Sequence, residues 1–235
     1  MTQVRQAVIL AGGNATRLRP YTDRVPKALV DVGGRPILEH QLAWLAAEGV
    51  EHVVVSCGQR AEALTRHLLG RTLPLEVGVI VEERPLGRGG ELKHAARALP
   101  RPDAPWLALN GDVLTRFSLE EMAARHTAAG ALITLGVAAL RSPYDVVEIG
   151  ADGTVLGLES APVLPQRVNA GVHLCAPEVV GLLPDLGDHE SVTFPLLAAQ
   201  GRLAAHEIDG YWRAIDSARD LREANRELKH LGWAA

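Results

Sequence analysis

The 235-residue chain has only two cysteines, Cys57 and Cys175, far apart and without metal or redox spacing. That argues against a disulfide-stapled fold, and two buried thiols in a reducing compartment are expected instead. No apolar run approaches the ~18 residues of a membrane span. Residues 1–6 are too short and too polar for a secretory leader, so a cytoplasmic protein is expected. Positive charge is not in excess either: 24 Lys and Arg stand against 28 Asp and Glu, a net charge of −4. A nucleic-acid partner would call for a concentrated basic face. Any anionic ligand must therefore be held by a local arrangement. Three familiar catalytic loops are missing: there is no G-x-x-x-x-G-K-[ST], no G-x-G-x-x-G and no G-x-S-x-G. The nine histidines are scattered without ligand spacing and read as surface or packed residues.

What remains is an ordinary globular balance, 47% hydrophobic and 22% charged, in a chain long enough for one sizeable domain. Apolar runs at 7–10, 53–56, 75–81 and 106–109 read as strands buried on both faces. Between them, 36–48, 60–69 and 91–99 read as helices, followed by 119–129, with Pro36 in a first turn and Gly49, Gly70 and Gly130 as stops. Strand then helix, repeated, predicts a parallel sheet with right-handed crossovers. The second half differs. Strands are expected at 131–140, 168–174 and 203–208, a hairpin at 146–149 and 155–158 around Asp152-Gly153, and a closing helix at 217–231. One domain over 1–235 follows, with a first ligand bound by 1–115 and a second by 116–235.

The stretch "VILAGGNATRLRP", Val8 to Pro20, ends a strand in a glycine turn that presents Thr16, Arg17 and Arg19. Open parallel sheets bind ligands at the carboxyl ends of their strands. Gly12 and Gly13 let backbone N–H groups approach an oxyanion closely, and Arg17 can fork onto phosphate oxygens. A tight turn with solvated arginines is the plain alternative. Lys27, ten residues on and stiffened by Pro26, supplies a second compact positive charge, which favours a phosphate site.

These residues carry a resemblance. "LAGGNATRLRPYTDRVPKALVDVGGRPILEHQL" resembles the opening signature of the sugar-1-phosphate nucleotidylyltransferases: L-A-G-G-x-G-T-R-L-x-P-x-T, then P-K-x-L, then a G-x-P that opens a helix. It departs at Ala15, where that family usually has glycine. "EERPLGRGGELKHA", "LALNGDVL", "VNAGVHLCAPEVV" and "YWRAIDSARDL" are similar to later segments of the same family. The resemblance implies an α/β fold: a three-layer α/β/α, Rossmann-like nucleotide-diphospho-sugar transferase fold with a mixed, mostly parallel central sheet. It implies attack of a sugar 1-phosphate, most simply a hexose 1-phosphate, on the α-phosphorus of an NTP, giving an NDP-sugar and pyrophosphate. The nucleophile is already an anion, so cations and Mg²⁺ are expected rather than a general base.

Carried over residue by residue, Arg17 and Lys27 are the expected catalytic cations. Leu10, Ala11, Gly12, Gly13, Thr16, Arg17, Glu83, Gly87 and Asp112 are expected on the nucleotide, and Lys27, Asp145, Glu159, Arg167, Asn169 and Gly171 on the sugar phosphate. Asp112 and Asp216 are the expected Mg²⁺ ligands. Many relatives read W-x-D-x-G-T, which would put Ala214 where the acid belongs. A subset resembling the glucose-1-phosphate cytidylyltransferases reads F-W-x-x-M-D-T-x-R-D and puts it on Asp216. An N-cap for the closing helix is the plain reading of Asp216, a role Ser217 fills as well. The family's E-K-P appears here as "ESAP", so its lysine is Ser160, and Arg167 is the nearest substitute. The C-terminal motif favours CTP and "LEHQL…GVEHVVV" favours GTP, with UTP and dTTP open. The sequence does not choose between monomer and oligomer. Rival readings are transfer to a phospho-alcohol such as phosphocholine, a silent nucleotide-binding paralogue, and a GT-A glycosyltransferase, whose D-x-D motif is absent.

Overall fold

The computed structural model describes residues 3–13, 16–58 and 60–233. Strand β1 (Gln6–Leu10) is followed by a short pair, β2 (Asp31–Val32) and β3 (Arg35–Pro36), and by helix α1 (Ile37–Ala47). The alternating half continues through β4 (His52–Cys57), α2 (Ala61–Leu68), β5 (Glu76–Val81), α3 (Gly87–Ala96) and β6 (Trp106–Asn110). Then come β7 (Val113–Arg116), α4 (Leu119–Ala129), β8 (Ile133–Arg141), β9 (Val146–Ile149), β10 (Val155–Glu159) and β11 (Val163–Cys175). Helices α5 (Val179–Leu182) and α6 (His189–Ala199), strands β12 (Leu203–Glu207) and β13 (Tyr211–Ala214), and helix α7 (Ala218–His230) complete the described elements.

Seven strands form the central sheet in the order β5–β4–β1–β6–β11–β8–β12. Only β11 runs against its neighbours; the other pairings are parallel. Strand side chains alternate between faces, and both faces are covered. Ala7 and Ile9 join a cluster with Leu42 of α1, Leu64 of α2 and Met122 of α4. Val8 joins Leu92 of α3, Val179 of α5 and Phe194 of α6 on the other side. The three-layer α/β/α arrangement with a mixed, mostly parallel sheet is therefore the one expected from sequence. Fully burying one such aliphatic side chain contributes about 1.5–3 kcal/mol, which explains why strands this short hold the molecule together.

The chain leaves β1 towards β4 and β5, then returns to β6 on the other side of β1. The β1/β6 boundary is thus the topological switch point, where open α/β sheets place their ligands. A third apolar cluster lies beyond it: Leu18, Val30, Val32 and Ile37 pack with Leu114, Ile215, Leu221 and Leu228. It fastens the loop after β1 to the closing helix.

Five elements differ from the sequence expectation. Helix α3 starts at Gly87 rather than residue 91, because its glycines are contact points, not breakers. A Cβ on Gly89 would lie 2.6 Å from Pro184 Cγ, and one on Gly90 would lie 2.6 Å from the Asp185 carbonyl oxygen. Strand β5 is an edge strand with Glu76, Gly78 and Val81 exposed, not one buried on both faces. Helix α6 and the β7–β13 pair were not foreseen, since each lacks the periodicity that marks the other elements; α6 even carries Pro195. The hairpin at Asp152-Gly153 forms as its turn chemistry predicts, with Gly153 at φ +84°. Cys57 and Cys175 are both buried.

Candidate active site

A cleft of about 500 Å³ opens at the carboxyl ends of β1 and β6, a size typical of small-molecule sites. Four charged side chains meet there. Lys27 Nζ donates to Asp112 Oδ2 and to Asp216 Oδ1, at 2.7 Å each. Arg17 Nη2 donates to Asp216 Oδ1 at 3.2 Å. Each of the four is tied to an apolar neighbour locked in the core: Leu18 beside Arg17, Ala28 beside Lys27, Val113 beside Asp112 and Ile215 beside Asp216 are all 0–2% exposed. The charges are held by the hydrophobic residues next to them. The backbone closes the arrangement, with Ile215 N donating to Asp112 O at 2.9 Å and Gly111 N to Leu10 O at 2.8 Å.

Asp216 is free to serve the cleft because Ser217 takes the capping role. Ser217 Oγ accepts from Asp220 N, and Asp220 Oδ2 accepts from Ser217 N, forming a capping box on α7. Burial alone would raise the Asp216 pKa, but the hydrogen bond and charge of Lys27, with the charge of Arg17, hold it below the usual carboxylate range. Ala214, the alternative carboxylate position, lies in β13. Asp112 and Asp216 form a hard-oxygen pair that already converges on a cation. Among the described residues no group of three or more His, Cys, Asp or Glu forms a metal cage. A two-carboxylate pair open to a cleft fits Mg²⁺, which completes its shell with phosphates and water.

The other end of the cleft holds two buried acids. Gly12 N donates to Glu91 Oε1 at 3.1 Å, and a Cβ on Gly12 would lie 2.7 Å from that same oxygen. This is the physical need for glycine at position 12. Glu91 is 6% exposed; burial first, and then the nearby Glu82 charge, push its pKa up to about 7. Burial also raises Glu82, and Glu82 Oε1 is buried without a hydrogen-bond partner among the described residues.

A carboxyl raised in the folded state contributes no difference below the unfolded pKa. It destabilises progressively as pH climbs from about 4.5 to about 7. Glu91→Gln mimics the protonated form, so thermal melts at pH 8 should show it more stable than wild type by on the order of 2–3 kcal/mol. At pH 4 the two should coincide; an equal shift at both pH values contradicts the assignment.

Of the residues expected from sequence, Leu10, Ala11, Gly12, Gly13, Thr16, Arg17, Lys27, Gly87, Asp112 and Asp216 all line this cleft. Glu83 is exposed outside the lining, whereas its neighbour Glu82 lies in it. Arg167 is likewise not a lining residue: its Nε donates to Glu207 Oε1 at 2.7 Å on β12, and Arg88 is the further cation that lines the cleft. Asp145 and Glu159 stand exposed at the base of the β9–β10 hairpin. Position 15 falls outside the described residues.

Asn169 and Gly171 sit beside the cleft, on β11. A Cβ on Gly171, at φ +68°, would meet Asn110 Nδ2 at 2.5 Å. Asn169 Nδ2 donates to Glu190 Oε1 at 3.2 Å, and its Oδ1 accepts from Gly171 N and His173 Nε2 at 3.0 Å each. Burial pushes the His173 pKa down to about 3, so the ring is neutral and acts as a fixed donor. Glu190 also pairs with Arg88 at 3.1 Å.

Sequence reasoning missed Glu82, Arg88 and Glu91. One signal was available: Glu91 lies four residues before Ala95, on the same face of α3 as that buried alanine, and a lone carboxylate on a buried stripe is itself informative.

The chain is similar to several known proteins. The sequence is 35% identical over 227 residues to mannose-1-phosphate guanyltransferase of Candida albicans and 33% identical over 227 residues to that of Saccharomyces cerevisiae; each match covers 92% of this chain and 62% of the relative. The chain thus spans less than two thirds of the length of these relatives. Its fold is similar to the crystal structure of HddC from Yersinia pseudotuberculosis, with a TM-score of 0.76 at 23% identity, covering 96% of this chain and all of that one. The same protein complexed with GMP-PN gives 0.74 at 22% identity. Residues 6–230 match the model of the nucleotidyl transferase family, and the chain belongs to that family.

Proposed function

We propose that this chain joins GTP and a hexose-type sugar 1-phosphate, releasing pyrophosphate and an NDP-sugar, with Mg²⁺ as cofactor. The observation that carries the reading is the Lys27 ammonium set 2.7 Å from both Asp112 and Asp216 at the switch point. The relatives named as mannose-1-phosphate guanyltransferases and the GMP-PN complex of HddC support the choice of substrates. A phosphate oxygen of the sugar 1-phosphate forms a bond to the α-phosphorus as the bond from that phosphorus to the pyrophosphate oxygen breaks. No proton has to be removed, so catalysis is alignment and charge neutralisation. Asp112 and Asp216 would hold Mg²⁺, whose Lewis acidity would neutralise charge on the phosphates. Lys27 then turns its charge from the carboxylates to the reacting phosphates, and Arg17 draws on the departing pyrophosphate. Arg88, joined to Asn169 through Glu190, offers a cation on the acceptor side.

Glu82 supports GTP over the other nucleotides. A buried carboxylate oxygen without a partner needs donors, and guanine alone presents two adjacent ones, N1–H and the 2-amino group. Cytosine, adenine, uracil and thymine each place an acceptor beside their Watson–Crick-edge donor. The test is pyrophosphate release measured over five NTPs against a panel of sugar 1-phosphates and phosphocholine. Glu82→Gln should lower kcat/KM for GTP by about 10–100-fold, the worth of a bidentate base contact, and leave weaker NTPs nearly unchanged. Equal losses for every NTP would remove Glu82 from base reading. Turnover of phosphocholine alone would replace the sugar acceptor, and no pyrophosphate at all would reject the activity.

A further inference from the structure

The first turn of α6 ties α3 to β11 along one wall of the cleft. Gly187 N donates to Leu86 O and Gly187 O accepts from Gly89 N, at 2.8 Å each. Arg88, which lines the cleft, is thus held between two backbone hydrogen bonds. Asp188 caps α6 by accepting from Glu190 N at 3.0 Å. His189, only 1% exposed, packs its ring in T-shaped contact with His173 and Phe194, at centroid distances of 5.6 and 5.1 Å. Asp188 and Glu190 are therefore fixed on either side of a buried anchor, and both reach the same guanidinium. Arg88 Nε donates to Asp188 Oδ2 at 3.1 Å, Nη2 donates to the same oxygen, and Nη1 stands 3.1 Å from Glu190 Oε1. That Glu190 oxygen also accepts from Asn169 Nδ2 at 3.2 Å.

We propose that Arg88 reads a ring hydroxyl of the acceptor sugar, and that Glu190 is the residue that positions Arg88 against Asn169. The proposal rests on the acceptor being a sugar 1-phosphate and says which part of it this wall meets. The contacts of Arg88 leave one N–H on each terminal nitrogen, and Asn169 keeps the second N–H of its amide. The Asn169 amide is fixed in orientation, because its Oδ1 already accepts from Gly171 N and His173 Nε2. A hydroxyl suits such a wall better than a phosphate does. Arg88 stands against both Asp188 and Glu190, so the group carries one net negative charge and repels a second anion. A hydroxyl instead accepts from a free N–H and donates to the carboxylate beside it, which satisfies both. The wall belongs to the acceptor side: Gly171, two residues from Asn169, packs on the cleft-lining Asn110, while Glu82 and Glu91 occupy the other end.

The test measures pyrophosphate release with GTP and whichever of mannose 1-phosphate and glucose 1-phosphate turns over faster, then with each monodeoxy analogue of that sugar. In wild type, at least one analogue should lose about 10–100-fold in kcat/KM, the worth of a hydrogen bond to a charged group. Arg88→Met should lose as much on the parent sugar and nothing further on that analogue, with KM for GTP within about twofold of wild type. Glu190→Ala should match Arg88→Met, and Glu190→Gln, which keeps an oxygen for both donors, should recover most of the loss. A merely structural role would not single out one hydroxyl. Equal losses for Arg88→Met on every analogue would make it a phosphate contact, and a loss confined to KM for GTP would make it a nucleotide contact; either overturns the inference. The wild-type analogue scan needs no variant to fold, and a wild type that discriminates no analogue overturns it as well. A chain that turns over neither sugar phosphate fails earlier, at the acceptor assignment, and the inference falls with it.

Discussion

Asp216→Ala is expected to lower kcat by about 10²–10³-fold or more, the loss seen when one preorganised charge contact to a reacting phosphate or oxyanion is removed. The melting temperature should hardly move. Asp216 has a 41% exposed side chain, so its ion pairs are screened and contribute roughly 0–1 kcal/mol. The cap of α7 is untouched, because Ser217 and Asp220 form it. Removing Asp216 leaves Lys27 paired with Asp112 alone and, with the proposed Mg²⁺ site, would take away one of its two carboxylates. A steady-state assay over a range of Mg²⁺ concentrations should show the lost turnover partly restored at high metal. Full turnover at ordinary Mg²⁺ would return Asp216 to a structural role. Full turnover in Asp112→Ala as well would dismiss the pair.

Gly210→Ala is expected to do the reverse, damaging the fold first and activity as a consequence. A Cβ at Gly210 would overlap the carbonyl oxygen of Arg116, at the point where Tyr211 of β13 pairs with Arg116 of β7. Neither atom is the free end of a side chain, so the two strands must part. Overpacking against backbone costs about 3 kcal/mol or more, which for a chain of this length lowers Tm by roughly 6–12 °C. The strand that would shift leads directly to Ile215, whose N–H reaches the Asp112 carbonyl, so the spacing of Asp112 and Asp216 widens with it. Calorimetry paired with the pyrophosphate assay should show both losses together. An unchanged Tm would mean that the β7–β13 pair relaxes without strain.

How much was legible beforehand follows from the range of each signal. The run Gln6–Leu10 and its successors are buried on both faces, so they read as continuous apolar stretches, and the strand–helix alternation was visible in them. The edge strand β5 looked the same in composition, because an apolar run does not state how many neighbours it will have. Gly12, Arg17, Lys27 and Asp112 stood out through their positions after strands and their resemblance to a known signature. Glu82 and Arg88 did not, since each is one residue away from a position that the signature marks. The glycines at 87, 89 and 90 read as loop because their reason lies 2.6–2.8 Å away, in residues 184–189.

By itself the sequence determined the class of fold, the carboxyl-end glycine turn with its cations, and the family. All of these rest on order along the chain and on local chemistry. Only the tertiary structure decided that Asp216, not Ala214, stands beside Lys27, that Arg167 turns to Glu207, and that Glu82 and Glu91 meet beneath Gly12. It alone showed that one carboxylate, Glu190, joins Arg88 to Asn169. The physical reason is distance along the chain. Lys27 and Asp216 are 189 residues apart and touch at 2.7 Å because Leu18 and Ile215 share one buried cluster; no local pattern encodes such a meeting.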